Sequence, residues 1–112
     1  MERKTFSYDY EYDNLIVSNR QENEKVRENF EVGDMVFSLT GTGKIVSIDI
    51  RSASSFLEPC NINAEMLRGA TSITFEVIPK REVIFLVLKI EFVKGEHTIS
   101  KSVPLIMPLA NQ

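Results

Sequence analysis

Apolar and polar residues alternate along much of this chain, the period-two pattern of strands buried on one face. Phe6, Tyr8 and Tyr10 share one face of a first strand. Leu15 and Val17 share one face of a second, with Ile16 opposite. Met35, Phe37 and Leu39 mark a third strand, and Val46, Ile48 and Ile50 a fourth. Residues 40–44 (TGTGK) join the third to the fourth, and their glycines supply the positive φ angles of a tight hairpin. Alternation then stops over residues 51–70, where β-branched residues are few and Pro59 interrupts the chain. There the sequence predicts a helical turn around Ser54 to Leu57. It also predicts a short helix AEMLR, with Asn63 as N-cap and Gly69 as its stop.

The period-two pattern resumes at Ile73, Phe75 and Val77, with Thr74 and Glu76 opposite. Residues 79–82 (PKRE) read as a turn into the longest strand, EVIFLVLKIEFV. On that strand Ile84, Leu86, Leu88, Ile90 and Phe92 share a face. Its other face begins apolar with Val83, Phe85 and Val87 and ends charged with Lys89 and Glu91. The first half therefore expects cover on both sides and the second half on one. A turn at residues 94–96 leads to a last strand with Ile99 and Val103. The expected fold is mainly β (α+β), with about seven strands in two antiparallel meanders, four and then three. One or two short helices fall between the fourth and fifth strands. The chain reads as a single domain: a four-strand meander over residues 1–50, a helical segment over 51–70, and a three-strand meander with an apolar tail over 71–112.

Two segments fit no strand. Residues 21–31 (QENEKVRENFE) are charged and mixed in sign, and read as a solvated loop or single helical turn. The tail carries Leu105, Ile106, Met107 and Leu109 between and beyond Pro104 and Pro108. Such a tail must dock on its own body or on a partner.

Length and composition narrow the classes. A chain of 112 residues with 43% hydrophobic and 26% charged residues is enough for one cored domain without disulfides. The lone Cys60 has no partner for an internal disulfide, and with a single His the chain is poor in zinc ligands. A net charge of −3 argues against a general grip on phosphate backbones. The basic residues Lys80, Arg81, Lys89, Lys94 and Lys101 could line one edge, but the tyrosines that could stack on bases lie at the other end of the chain. The first residues, MERKTFSYDY, contain no apolar run of a secretory signal, and VIFLVL is far short of the roughly 20 residues of a membrane span. The expectation is a cytoplasmic protein with no membrane or nucleic-acid partner.

Residues 8–18 (YDYEYDNLIVS), followed by residues 32–54 (VGDMVFSLTGTGKIVSIDIRSAS), resemble a small prokaryotic family catalogued as domain of unknown function 2283. Its members pair a tyrosine-aspartate and an aspartate-x-leucine motif with a later apolar hairpin running into a short helix. Here Tyr8-Asp9 and Asp13-Asn14-Leu15 stand in the first motif, and Asp34-Met35-Val36, residues 45–50 and residues 52–54 in the second. The resemblance covers the first half of the chain and implies no established activity. It departs at Ser38, Thr40 and Thr42, where the family often has aspartates. Some members look like antitoxin-like partners of small toxins, which puts that role among the alternatives.

The candidate polar site is Asp9, Glu11, Asp13 and His97. Three acids at this spacing suit either a turn, where Asp accepts backbone hydrogen bonds, or a cation site. Hard cations want six to eight oxygen ligands and commonly a glycine in the loop. No glycine precedes Gly33, so the turn is preferred and neither metal nor cofactor is expected. His97 is the only histidine, a residue type common in acid–base roles, but no G-x-S-x-G elbow accompanies it. Residues 41–44 (GTGK) lack the spacing and following helix of a phosphate loop. Whether the protein is an enzyme is left open by these residues, with a non-enzymatic role preferred. The expected function is a protein-interaction module, self-associating as a dimer or binding another protein. Its interaction residues would be Val83, Phe85, Val87, Leu105, Met107 and Leu109. The alternative is a small-molecule site or enzyme around His97 and nearby acids.

Overall fold

The computed structural model describes residues 5–108, with side chains as far as Ile106. The chain is mainly β, as its alternation predicts. The described residues form eight strands: β1 (Phe6–Asp9), β2 (Asn14–Ser18), β3 (Glu28–Val32), β4 (Met35–Leu39), β5 (Ile45–Ile50), β6 (Ala70–Lys80), β7 (Val83–Lys94) and β8 (His97–Pro108). Two short helices, α1 (Ala53–Leu57) and α2 (Ala64–Arg68), lie between β5 and β6, with a 3-10 turn at Glu58–Cys60 between them. Asn63 caps α2 by accepting a bond from the Met66 amide at 2.9 Å, and Gly69 ends the helix, as the sequence predicts.

Three features correct the expected architecture. The strand β3 falls inside residues 21–31, which read as a loop. Only Phe30 and Val32 on it are apolar, but Phe30 stacks on Phe37 of β4 with centroids 5.1 Å apart. The extra strand moves the helices from after a fourth strand to after a fifth. The first sheet is also not a meander. Its order is β1-β2-β5-β4-β3, so β5 returns to pair with β2 and the β3–β4 hairpin hangs outside. Finally, the apolar tail is not a separate segment. The chain from Pro104 to Pro108 continues β8, paired with β7 through Val83↔Pro108. A proline is tolerated there because β8 is an edge strand, where the missing N–H can face away from the sheet. The second sheet, β6-β7-β8, is the expected three-strand meander.

Both sheets contribute their apolar faces to one core. Leu15, Val17, Phe37, Ile48 and Ile50 come from the first sheet, and Ile73, Leu86, Leu88 and Ile90 from the second. Ala53, Leu57, Ile62 and Leu67 of the helical segment join them. The helical segment sits on the core side of the second sheet. Lys101, opposite Ile90 on β8, donates to the carbonyls of Cys60 at 3.4 Å and Asn61 at 3.1 Å. The sheets are pinned where β2 passes β6. The Asn19 amide group donates to the Phe75 carbonyl at 2.8 Å, and the Thr5 hydroxyl to the Ile73 carbonyl at 3.3 Å. No helix among the described residues is long and apolar enough to cross a membrane.

Candidate interaction surface

The acidic opening stretch forms the turn between β1 and β2, closed by the pairing of Asp9 with Asn14. Asp9 accepts a bond from the Tyr12 amide at 3.1 Å, the turn role open to such a residue. Asp13 adopts φ 56°, a left-handed conformation that Asp tolerates better than most residues. Its carboxylate reaches α1. Oδ1 accepts from the Tyr8 hydroxyl at 2.5 Å and the Ser54 amide at 3.0 Å. Oδ2 accepts from the same amide at 3.2 Å and the Ser54 hydroxyl at 2.7 Å. The Asp13 carbonyl accepts from the Ala53 amide at 2.9 Å. Asp13 thus caps a helix that begins forty residues later and whose own N-cap, Ser52, makes no side-chain capping bond.

Partial burial pushes the Asp13 carboxyl up, but the Tyr8 and Ser54 donors outweigh it and leave the group below its ordinary value. Burial and the neighbouring carboxylate push the Tyr8 hydroxyl the other way, well above its ordinary range. Tyr10 ties the same turn to α2. Its hydroxyl donates to Glu65 at 2.7 Å, which raises its pKa, and the Arg68 guanidinium lies 4.5 Å from its ring centre. The opening stretch is therefore a clamp that docks the first hairpin on both helices.

The four residues of the candidate polar site are not brought together. Glu11 is exposed in the turn, Asp9 and Asp13 are engaged as above, and His97 lies exposed opposite Lys94 in the β7–β8 hairpin. Among the described residues no group of three or more His, Cys, Asp or Glu is placed to hold a metal ion. Each Asp13 oxygen already accepts two hydrogen bonds. Added calcium or magnesium is expected to leave the melting temperature unchanged. A saturable rise of several degrees with either ion would contradict the turn assignment.

The outer face of the second sheet carries three of the six residues expected to interact, Val83, Phe85 and Val87. Register places Ile78, Phe85 and Ile106 side by side across β6, β7 and β8. Glu76, Val87 and Pro104 form the next row on one side, and Lys80 and Val83 flank them on the other. Ile106 is 61% exposed. Val83, Phe85 and Val87 are half-buried by their neighbours and are not among the side chains packed on the core. The Lys80 ammonium lies 5.9 Å from the Phe85 ring centre, so this lysine leans over the apolar row. Beyond Val87 the face turns polar, with Thr74, Lys89 and Ser102 and then Ser72, Glu91 and Ser100 in register.

No family model matches this chain, and no curated protein or solved structure matches it significantly. Val83, Phe85 and Val87 belong to the outer face of the second sheet. Leu105 does not: it points inward opposite Leu86 and is buried. Leu109 and the Met107 side chain lie outside the described residues. The sequence reading did not single out Ile78, Glu76 and Lys80 as part of this face. Thr74, Glu76 and Ile78 alternate in one phase and carry the signal, but residues 79–82 read as a turn in the sequence, whereas β6 runs to Lys80 and the turn holds only Arg81 and Glu82. The lysines and Arg81 do not line a common edge. Lys80 and Lys89 lie on the outer face, and Lys101 is bound to the helical segment on the inner one.

Proposed function

We propose that this is a non-enzymatic, cytoplasmic protein-interaction module that self-associates through the outer face of β6-β7-β8. The observation that carries the reading is the row Ile78, Phe85 and Ile106, flanked by Val83 and Val87, on a face with no role in the core. The helical segment lies on the opposite face, and residues 104–108 lie in the plane of the sheet as part of β8, so among the described residues neither segment lies over this face. A contiguous apolar patch rimmed by charge is the form that protein-binding surfaces take. The same reading takes the first half of the chain to share the plan of the domain-of-unknown-function-2283 family. Its support is that Asp13 and Ser54, both within the resembling motifs, meet in the folded chain.

Phe85→Glu tests the surface. It places a charge at the centre of the patch without touching the core. Sedimentation velocity is expected to show the unmodified protein moving from monomer to dimer as concentration rises, and the variant staying monomeric. If the unmodified protein is monomeric throughout, or if the variant associates equally well, the reading is wrong.

A further inference from the structure

We infer that two copies of this chain pack outer face to outer face about a two-fold axis running across the strands, along the row Ile78–Phe85–Ile106, with Glu76 of each copy paired to Lys80 of the other. This rests on the proposed surface and specifies its partner and geometry.

Each symmetry brings different residues of the face together. Two identical sheet faces meet about a two-fold axis lying between them, whose limiting directions are along the strands and across them, and an isologous contact places on-axis residues against their own copies. An axis along β7 would set Lys89 on Lys89 and Glu91 on Glu91, because both share the outer face of that strand with Phe85. Like charges apposed in this way oppose association. An axis across the strands at the level of Phe85 sets only Ile78, Phe85 and Ile106 on their own copies, and all three are apolar. The rows on either side then exchange. Val83 meets Val87 of the other copy. Lys80, one row to one side on β6, meets Glu76, one row to the other side on the same strand. Two opposite-charge pairs thus flank an apolar centre. Arg81 comes opposite Lys89 only at the rim, where it lies in an exposed turn beside Glu82.

The size of the patch sets the strength. Three strands about 4.8 Å apart and three rows about 6.7 Å apart make a centre of roughly 300 Å² on each copy. Even with the charged rim this falls below the roughly 1,200 Å² total of stable interfaces, so the dimer is weak and dissociates on dilution.

The charge pairing gives a test that Phe85→Glu does not. Glu76→Lys alone faces lysine with lysine, and Lys80→Glu alone faces glutamate with glutamate. Each single variant is expected to weaken the dimer by at least roughly tenfold in sedimentation equilibrium. Mixing the two single variants is expected to restore association as a heterodimer, since each then meets its opposite. The double variant, Glu76→Lys with Lys80→Glu, is expected to dimerise like the unmodified chain. Both residues are exposed, and unchanged circular dichroism and melting would confirm that folding is intact. If the unmodified chain dimerises and Phe85→Glu abolishes this, but neither the mixture nor the double variant recovers, the surface stands and this axis is overturned. A chain that stays monomeric at every concentration overturns both.

Discussion

Ending the chain at Val103 is expected to destabilise the protein by roughly 3–5 kcal/mol, the range for emptying a large apolar side chain from a core. The residues removed look like a dispensable tail, apolar and bracketed by prolines. In the fold they are the second half of β8. Leu105 is buried against the core opposite Leu86, which is fully buried on the central strand. Removing the segment uncovers Leu86 and strips β7 of a hydrogen-bonding neighbour. Domains of this size have about 5–15 kcal/mol in total, so the loss is a large share of it. Urea unfolding of the truncated chain beside Leu105→Ala measures it. Leu105→Ala, which keeps the strand, is expected to account for about 2–3 kcal/mol. A truncated chain as stable as the full one would show that the segment contributes nothing to the core. For the same reason truncation is a poor probe of self-association, and Phe85→Glu is the cleaner one.

The second large effect is expected at Asp13. Asp13→Ala removes a carboxylate that accepts from the Tyr8 hydroxyl and from both donors of Ser54. It also places alanine in a left-handed conformation. Loss of a helix cap is worth about 0.5–2 kcal/mol, and the conformational penalty puts the expected value near the top of that range, about 2 kcal/mol. In a domain of this length that lowers the melting temperature by about 10 °C. Asp13→Asn keeps an acceptor and suits the backbone, so it is expected to lose less than half as much. Equal losses for the two variants would remove the cap from the explanation.

The same clamp sets the direction of the pH dependence. The Asp13 carboxyl is lowered in the folded state. Its contribution is complete above the unfolded carboxylate value of about 3.9 and is lost as pH falls through the lower folded one. The Tyr8 hydroxyl is raised. Its contribution is complete below about pH 10 and is lost as pH rises beyond, through the folded value. Melting temperature followed into the alkaline range is expected to fall less steeply for Tyr8→Phe than for the unmodified chain. Parallel curves would show that Tyr8 does not titrate with folding.

What the residues alone revealed follows the range over which each interaction acts. Period-two alternation, Asn63 before AEMLR and the glycines of the hairpins are local signals, and each element they mark is present, although Tyr10 falls in the turn beyond β1 and Gly43 alone of the two glycines in residues 40–44 takes a positive φ. The strand β3 has only two apolar residues in a charged run, so its alternation is faint. The Gly33-Asp34 step after Val32, with Gly33 at φ 59°, was the available hairpin signal. The return of β5 to β2 is not written in either strand, because any apolar face would accept the other. The Asp13–Ser54 bonds join residues far apart in sequence, and only the fold brings them together. Pro104 and Pro108 argued against a strand, and that inference fails only because β8 is an edge.

The placement of β7 between β6 and β8 also bears on the hazard of fibril formation. VIFLVL, residues 83–88, is uncharged, β-branched and aromatic, the composition of segments that stack into cross-β spines. Its backbone is engaged on both sides in the folded chain. Growth by strand addition would have to start from β6 or β8. On β6 the outward carbonyls of Ile73 and Phe75 are already taken by Thr5 and Asn19, and Pro79 interrupts the rest. On β8 the stretch beside VIFLVL carries Pro104 and Pro108, which offer no amide to an incoming strand. The hazardous segment is thus shielded by two strands that themselves make poor templates, and the protection lasts only while β8 stays paired.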